Sequence, residues 1–308
     1  MSKVYHIVDV EDAVRFDRYL RRMFPGITQA LIEKLLRKGL ILLNDSIVPS
    51  SARVKTGDSV RVGDINFVSS YNKKEAKDVN ASLLELIRSN IIYKDEYVIA
   101  VNKPSGLNVQ GGTKIRESIG DLLHKVIHGE QLHIVHRLDK DTSGVLVLAR
   151  KMSVARSLSE ELRCRRVKKE YLAITEGVPL CASGIIDLPI LYKRHSSKVG
   201  SVAVAKDAET SFFIVKSSGN YSIMLLQPVT GRKHQLRIHL SQNKCPIIGD
   251  SKYNEEGLSR DRLHLHALRM TFEIFNKNIT ITAPVPMYIK DTVRTLFGCS
   301  LESTGITA

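Results

Sequence analysis

In the N-terminal part of the chain, apolar positions fall first at helical and then at strand spacing. Val14, Phe16, Tyr19, Leu20, Met23 and Phe24 recur at near-helical intervals with Arg15, Arg18, Arg21 and Arg22 between them, and Pro25-Gly26 stops the run. Thr28 can cap a second helix whose stripe is Leu31, Ile32, Leu35 and Leu36, and Gly39 supplies its stop. A strand is predicted over 40–43, turned by Asn44-Asp45, with a return strand beginning at Ile47-Val48. Val54, Val60 and Val62, with a turn at Gly57-Asp58, complete a small sheet.

The pattern then changes. Residues 64–84 are polar and lysine-rich, offer little to a core, and read as a linker. Beyond it, β-rich runs lie at 91–93, 97–101, 134–136, 145–148, 171–175, 211–215, 221–226 and 279–281. Helical patterns occur at 153–163 and 235–240. Strands outnumber helices and do not alternate with them, which predicts an α+β fold. The expected organisation is a small unit over 1–63, the linker, a larger domain over 85–300, and a flexible tail over 301–308.

Composition narrows the classes. Hydrophobic residues make up 43% of the 308 positions and charged residues 25%, an ordinary globular mix that excludes a largely disordered chain. No apolar run approaches the ~18 residues of a membrane span. The N-terminus carries Asp9, Glu11 and Asp12 in place of a signal-peptide core, so a cytoplasmic address is expected. The cysteines Cys164, Cys181, Cys245 and Cys299 form no CxxC pair and read as free thiols.

Charge is the informative quantity. Lys and Arg total 46 against 32 Asp and Glu, a formal +14, which points to a polyanion: nucleic acid or an anionic membrane surface. Between Arg15 and Val62 there are ten bases and four acids, so +6 falls on this small unit and favours nucleic acid. No amphipathic anchor or lipidation motif supports the membrane reading. GxxxxGK[ST], GxGxxG and HExxH are all absent, and His234/His239 and His264/His266 lack metal-site spacing and read as packing or contact residues. No cofactor and no metal are therefore expected.

One segment could carry chemistry. His136-Arg137-Leu138-Asp139-Lys140-Asp141-Thr142-Ser143-Gly144 places acids on a tight polar loop between two β segments. From turn chemistry alone, an Asx-type turn closed by Asp141 or Thr142 is the simpler account. A hydrolase using Asp139 and Asp141 is disfavoured, because neighbours two apart on a loop rarely straddle a glycosidic bond at the ~5–9 Å required.

Two resemblances alter that balance. Arg15-Phe16-Asp17-Arg18-Tyr19-Leu20, Leu35-Leu36-Arg37-Lys38-Gly39, Leu43-Asn44 and Lys55-Thr56-Gly57-Asp58-Ser59-Val60 resemble the S4 RNA-binding domain. The loop His136-Arg137-Leu138-Asp139-x-x-Thr142-Ser143-Gly144 resembles the signature of the RluA family of pseudouridine synthases. Asn102-Lys103-Pro104-Ser105-Gly106-Leu107, Lys169-Glu170-Tyr171-Leu172-Ala173 and Thr230-Gly231-Arg232-Lys233-His234-Gln235-Leu236-Arg237-Ile238-His239 resemble its other motifs, in order. Pro246 to Tyr253 and Leu263 to Ala267 match the remaining blocks. Within the family the chain looks most like the RluC branch, on Val109-Gln110-Gly111-Gly112-Thr113 and the Arg260 to Ala267 stretch.

The resemblance implies a mixed, mainly antiparallel sheet with flanking helices. It also implies isomerisation of uridines to pseudouridine in large-subunit (23S) ribosomal RNA, by a cytoplasmic monomer without cofactor. Asp139 would be the catalytic carboxylate, as nucleophile or as base; the sequence leaves both open. Arg232 would be its guanidinium partner, Tyr171 the aromatic against the target base, and Leu236 an apolar wall. Arg137 would prop the stack vacated by the flipped nucleotide. Arg15, Arg18, Lys34, Arg37 and Lys38, with Arg165, Arg166 and Lys168, would contact RNA, and Lys193-Arg194 would line its path. The rival readings are RluD-branch specificity for other uridines and an S4-type ribosomal RNA assembly factor without catalysis.

Overall fold

The computed structural model describes residues 3–6, 13–24, 27, 29–63, 81–111, 118–127, 130–196, 200–254 and 262–306. Pro25-Gly26, Thr28, most of the linker, Gly112-Thr113 and Arg260-Asp261 lie outside them, and the side chains of Lys193 and Arg194 are not described. The chain divides into two compact units, one formed chiefly by residues up to Ala81 and the other chiefly by those from Ser82 on.

The first unit comprises β1 (Lys3–His6), β2 (Val14–Arg15), α1 (Phe16–Met23), α2 (Gln29–Arg37), β3 (Ile41–Leu43), β4 (Arg53–Val54) and β5 (Ser59–Val62). Its sheet runs β1-β5-β3, with β2 paired to β4. Phe16, Leu20, Ile32, Ile41, Val54 and Val60 are fully buried, so the stripes read from the sequence form one core. Gly39, at φ 65°, ends α2 as a left-handed C-terminal residue, its N–H donating to the Leu36 carbonyl.

The predicted return strand at Ile47-Val48 does not form. Asn44 and Asp45 both take positive φ, and Asn44 bonds Asp58 and the Ser59 amide, which seats β5 beside β3. Ile47 is left 63% exposed and Pro49 has no amide to give.

The second unit opens with α3 (Ala81–Ser89), which begins inside the predicted linker because Ile87 finds a buried site. There follow β6 (Ile91–Lys94), β7 (Val98–Lys103), α4 (Ile119–Val126), β8 (His133–Ile134), β9 (Ser143–Ala149), α5 (Met152–Arg163) and β10 (Lys168–Glu176). Next come β11 (Ser183–Asp187), β12 (Ile190–Ser196), β13 (Gly200–Lys206), β14 (Glu209–Ser218), β15 (Tyr221–Pro228) and α6 (Gln235–Gln242). The last elements are β16 (Leu265–Ile274), β17 (Lys277–Thr282) and α7 (Met287–Phe297).

The large sheet runs β11-β14-β15-β10-β16-β9-β7-β6, with β17 on β16 and β8 on β9. Among the described residues its one parallel pairing joins β9 to β16 and the other pairings are antiparallel, so the α+β architecture is as the sequence implies. Every residue of β9 is buried, which suits a strand covered on both faces. On β10 the side chains alternate: Leu172 and Ile174 pack with α7, while Tyr171 and Ala173 pack with Leu236 and Leu240 of α6. That alternation puts Tyr171 on the α6 side.

Of the tail predicted to be flexible, residues 301–306 are described, and they do not hang free. Leu301 and Ile306 are buried with Phe297 of α7, and Glu302–Thr304 forms a 3₁₀ turn between them. Two apolar residues at that spacing suffice to pin a short segment. Among the described residues no helix is long and apolar enough to cross a membrane.

Candidate active site

The Asp139 loop joins β8 to β9 and is held from several directions. Lys103, at the end of β7 and fully buried, donates from Nζ to the carbonyls of Lys140 (2.7 Å), Leu107 (2.8 Å) and Pro104 (2.9 Å). The Gly106 amide also donates to Lys140 O, and Ser105 Oγ to Asp141 O. The Asn-Lys-Pro-Ser-Gly stretch is thus a clamp on the loop. Burial lowers the Lys103 pKa to about 7 against the opposing pull of Asp141 and Asp139.

Upstream of Asp139, His136 Nε2 accepts the Val147 amide at 2.9 Å, and burial lowers its pKa to about 4. Downstream, Ser143 Oγ bonds Nδ1 of buried His266 at 2.9 Å, and Gly144 sits at φ 110° against Ala267. Leu138 and Thr142 are buried, while Arg137 is exposed. The Asp139 carboxylate is 21% exposed and lines a cleft of about 760 Å³.

The opposite wall comes from the turn before α6. Gln235 organises it: Oε1 accepts from Thr230 Oγ1 (2.6 Å) and the Arg232 amide (3.0 Å), and Nε2 donates to Glu209 O and Thr210 Oγ1. His234, left-handed at φ 57°, caps the helix start and brings Nε2 to 3.8 Å from Asp139 Oδ1. Its Nδ1 lies 2.9 Å from Tyr253 Oη. One turn into α6, Arg237 grips Asp250 through two bonds, 2.7 and 2.6 Å, both side chains being buried. Asp250 also accepts the amides of Lys252 and Tyr253, which fixes the turn carrying Tyr253.

Tyr171 and Leu236 line the cleft with Asp139. Burial first, and the Asp139 charge second, push the Tyr171 phenol well above its usual range, so it is a donor and a stacking face. Arg232 departs from expectation. It lines the cleft, but its Nε donates to the Asp207 carbonyl at 2.9 Å, and it makes no ion pair with Asp139. Its amide is committed to Gln235, and the side chain runs back toward the β13–β14 turn. Among the described residues, the basic nitrogen within 4 Å of the Asp139 carboxylate is Nε2 of His234, at 3.8 Å from Oδ1.

Of the other expected RNA contacts, Arg165 (φ 59°) and Arg137 line the cleft, and Lys168 is exposed. Arg166 is tied to Glu161 at 2.6 and 2.8 Å. In the first unit Arg15 is tied to Asp17, whereas Arg18, Arg37 and Lys38 are exposed and Lys34 is half-buried. His239, His264 and His266 are buried packing residues bonded to Thr210, Thr292 and Ser143. Sequence reasoning missed Lys103, His234, Arg237, Asp250 and Tyr253 as parts of the site. Their signal was their place inside the motif blocks.

Comparison with known proteins identifies the family. A family model described as RNA pseudouridylate synthase matches residues 97–242, and an S4 domain model matches 14–60. The ribosomal large subunit pseudouridine synthase C of Buchnera aphidicola subsp. Baizongia pistaciae is 33% identical over 305 residues, 94% of this chain and 96% of that one. The protein of the same name from Rickettsia felis is 36% identical over 299 residues, 92% of this chain and 98% of that one. Among solved structures, human RNA pseudouridylate synthase domain containing 4 superposes with a TM-score of 0.61 at 30% identity, covering 70% of this chain and 96% of that one. With the cleft, the motif order and full-length relatives in agreement, this chain belongs to the RNA pseudouridylate synthase family and carries an S4 domain ahead of its synthase domain.

Proposed function

We propose that the protein converts specific uridines of large-subunit ribosomal RNA to pseudouridine, with Asp139 as the carboxylate that acts on the glycosidic bond. The observation that carries this reading is the Lys103-clamped loop, which presents Asp139 to the same cleft as Tyr171. The relatives' names supply the RNA class. The reaction breaks N1–C1′, turns the uracil and joins C5 to C1′, with no redox change and no net hydrolysis. A carboxylate held 21% exposed is accessible to C1′ or to the 2′ proton, as nucleophile or as base.

The target uridine must leave its stack, at a cost of a few kcal/mol. Arg137, exposed two residues before Asp139, suits the prop role because its planar guanidinium can stack and pair with phosphate at once. Tyr171 offers a face and a hydroxyl to the base, and Leu236 the apolar wall. Arg165 and Lys168 flank the path of the backbone, and Arg18, Lys34, Arg37 and Lys38 of the S4 domain add phosphate contacts.

The test is pseudouridine mapping of large-subunit ribosomal RNA from cells with and without the protein, repeated with Asp139→Asn. Sites that vanish in both cases support the proposal. Full modification by Asp139→Asn would remove Asp139 from the chemistry. A wild-type protein that binds the RNA and leaves no pseudouridine would instead be an assembly factor.

A further inference from the structure

The isomerisation carries a proton account that Asp139 does not close. Uridine has a hydrogen on C5 and none on N1; pseudouridine has the reverse. Once C5 has bonded to C1′, the C5 proton must pass to a base. After the uracil turns, C5 stands where N1 stood, beside C1′, so that base must lie close to the Asp139 carboxylate.

The groups lining the cleft can be taken in turn. Asp139 is committed at the sugar. The Tyr171 phenol holds its proton. His136 already spends its Nε2 lone pair on the Val147 amide. Arg137, Arg163, Arg165, Arg232 and Arg237 are permanent cations. Lys169 and Lys233 line the cleft too, but neither amine comes within 4 Å of the Asp139 carboxylate among the described residues. His234 differs from all of these. Its Nε2 is 3.8 Å from Asp139 Oδ1, and its Nδ1 meets a hydroxyl that can donate or accept. Either tautomer is therefore served at Nδ1, and Nε2 can present a proton to Asp139 or a lone pair to the substrate.

Resting on the function proposed above, we infer that His234 is the general base that removes the C5 proton, with Tyr253 holding its ring. The N1–C1′ pair goes to N1, and the C5=C6 π pair forms C5–C1′. His234 Nε2 then takes the C5 proton, and that C–H pair restores the ring π bond. The imidazolium gives its proton to water while N1 takes one from water, so atoms and charge balance with no redox partner. The charged and titratable groups facing His234 are Asp139 on its loop, Lys233 and Arg237 on the α6 side, and Lys252 and Tyr253 on the 250–253 turn. Burial, with the three cations, outweighs Asp139 and keeps the imidazole neutral at pH 7.

The test uses the full-length protein in single turnover on large-subunit ribosomal RNA carrying uridine deuterated at C5. His234→Gln is expected to slow product formation by about 10²–10⁴-fold and to reveal a C5 deuterium effect larger than that of the wild type, with RNA affinity unchanged. His234→Gly, suited to the left-handed backbone at φ 57°, is expected to fold and to regain rate with added imidazole. A His234→Gln rate near wild type overturns the inference, as does a slow variant with no increased isotope effect, which would make His234 a positioning residue for Asp139. A larger isotope effect in Lys169→Met in place of His234→Gln also overturns it. A wild type that makes no pseudouridine fails earlier and overturns the function itself.

Discussion

The buried ammonium of Lys103 donates to the carbonyl of Lys140 at 2.7 Å, one residue beyond Asp139. The same nitrogen serves Pro104 and Leu107, and three carbonyls match the three N–H bonds that the amine carries when protonated. Lys103 therefore sets where Asp139 stands without needing to touch substrate. Lys103→Met should lower kcat by about 10²-fold through a misplaced carboxylate while leaving RNA affinity near wild type. Single-turnover rates and binding isotherms on one RNA separate the two effects.

The histidines at either end of the loop predict acid sensitivity. His136 Nε2 accepts an amide bond, and His266 donates from Nε2 to the Ala283 carbonyl while Nδ1 accepts from Ser143. Both pKa values are lowered by burial from 6.5 to about 4. Between those pH values the unfolded chain binds protons that the folded chain refuses, so stability is lost as pH falls from 6.5 toward 4. For His266, fully buried, the loss is on the order of 3 kcal/mol. Urea unfolding at pH 7 and pH 4.5 checks this, and His266→Asn should flatten part of the difference.

Gly144 answers for the parallel seam. At φ 110°, a Cβ there would lie 2.2 Å from the Ala267 carbonyl oxygen and 2.6 Å from its nitrogen, both backbone atoms on β16. Neither can step aside without opening the β9–β16 pairing. Gly144→Ala should cost at least about 2 kcal/mol, combining left-handed strain with overpacking. The expected readout is a lower midpoint in chemical denaturation, with Gly57→Ala, whose Cβ meets nothing, as the milder control.

The Arg237–Asp250 pair is buried on both sides and supports the turn that carries Tyr253. Asp250→Ala leaves a buried guanidinium without its partner. The expected loss is about 3–5 kcal/mol, more than Arg166→Ala, which breaks a pair at the surface. Thermal or urea unfolding of the two variants ranks them.

How much of this was legible beforehand depends on the range of the interactions. The S4 core followed from local periodicity, because Phe16, Leu20, Ile32 and Leu36 are one or two turns apart on two short helices. Asp139, Tyr171 and Leu236 were legible only through motif resemblance, since nothing local in a polar loop distinguishes a reactive carboxylate from a turn. The sequence cannot show that the Arg232 side chain turns back to the Asp207 carbonyl, leaving His234 beside Asp139. Lys103 and Lys140 are 37 residues apart, and no periodicity couples a strand end to a distant loop. The tail was misread because its two apolar residues are too few to show a pattern, although burial needs only those two.

The S4 surface yields a prediction that charge counting alone gets wrong. Arg15 and Arg18 look equivalent in the sequence, but Arg15 forms a two-bond chelate with Asp17, Nε to Oδ1 at 3.1 Å and Nη2 to Oδ2 at 2.7 Å. Asp17, held below the usual carboxylate range by the Arg15 hydrogen bond against the cost of burial, stays ionised at neutral pH and cancels that charge locally. Arg18 and Arg37 are exposed and carry no acidic partner among the described residues. Each phosphate contact contributes about 0.7–0.9 to the slope of log affinity against log salt, because binding releases a condensed counterion. Arg18→Ala and Arg37→Ala should each weaken ribosomal RNA binding and reduce that slope by nearly one, while Arg15→Ala leaves it close to wild type. Titrations of the three variants across a salt series would show the ordering, and an Arg15→Ala slope that falls as far as the Arg18→Ala slope would mean that RNA displaces Asp17 on binding.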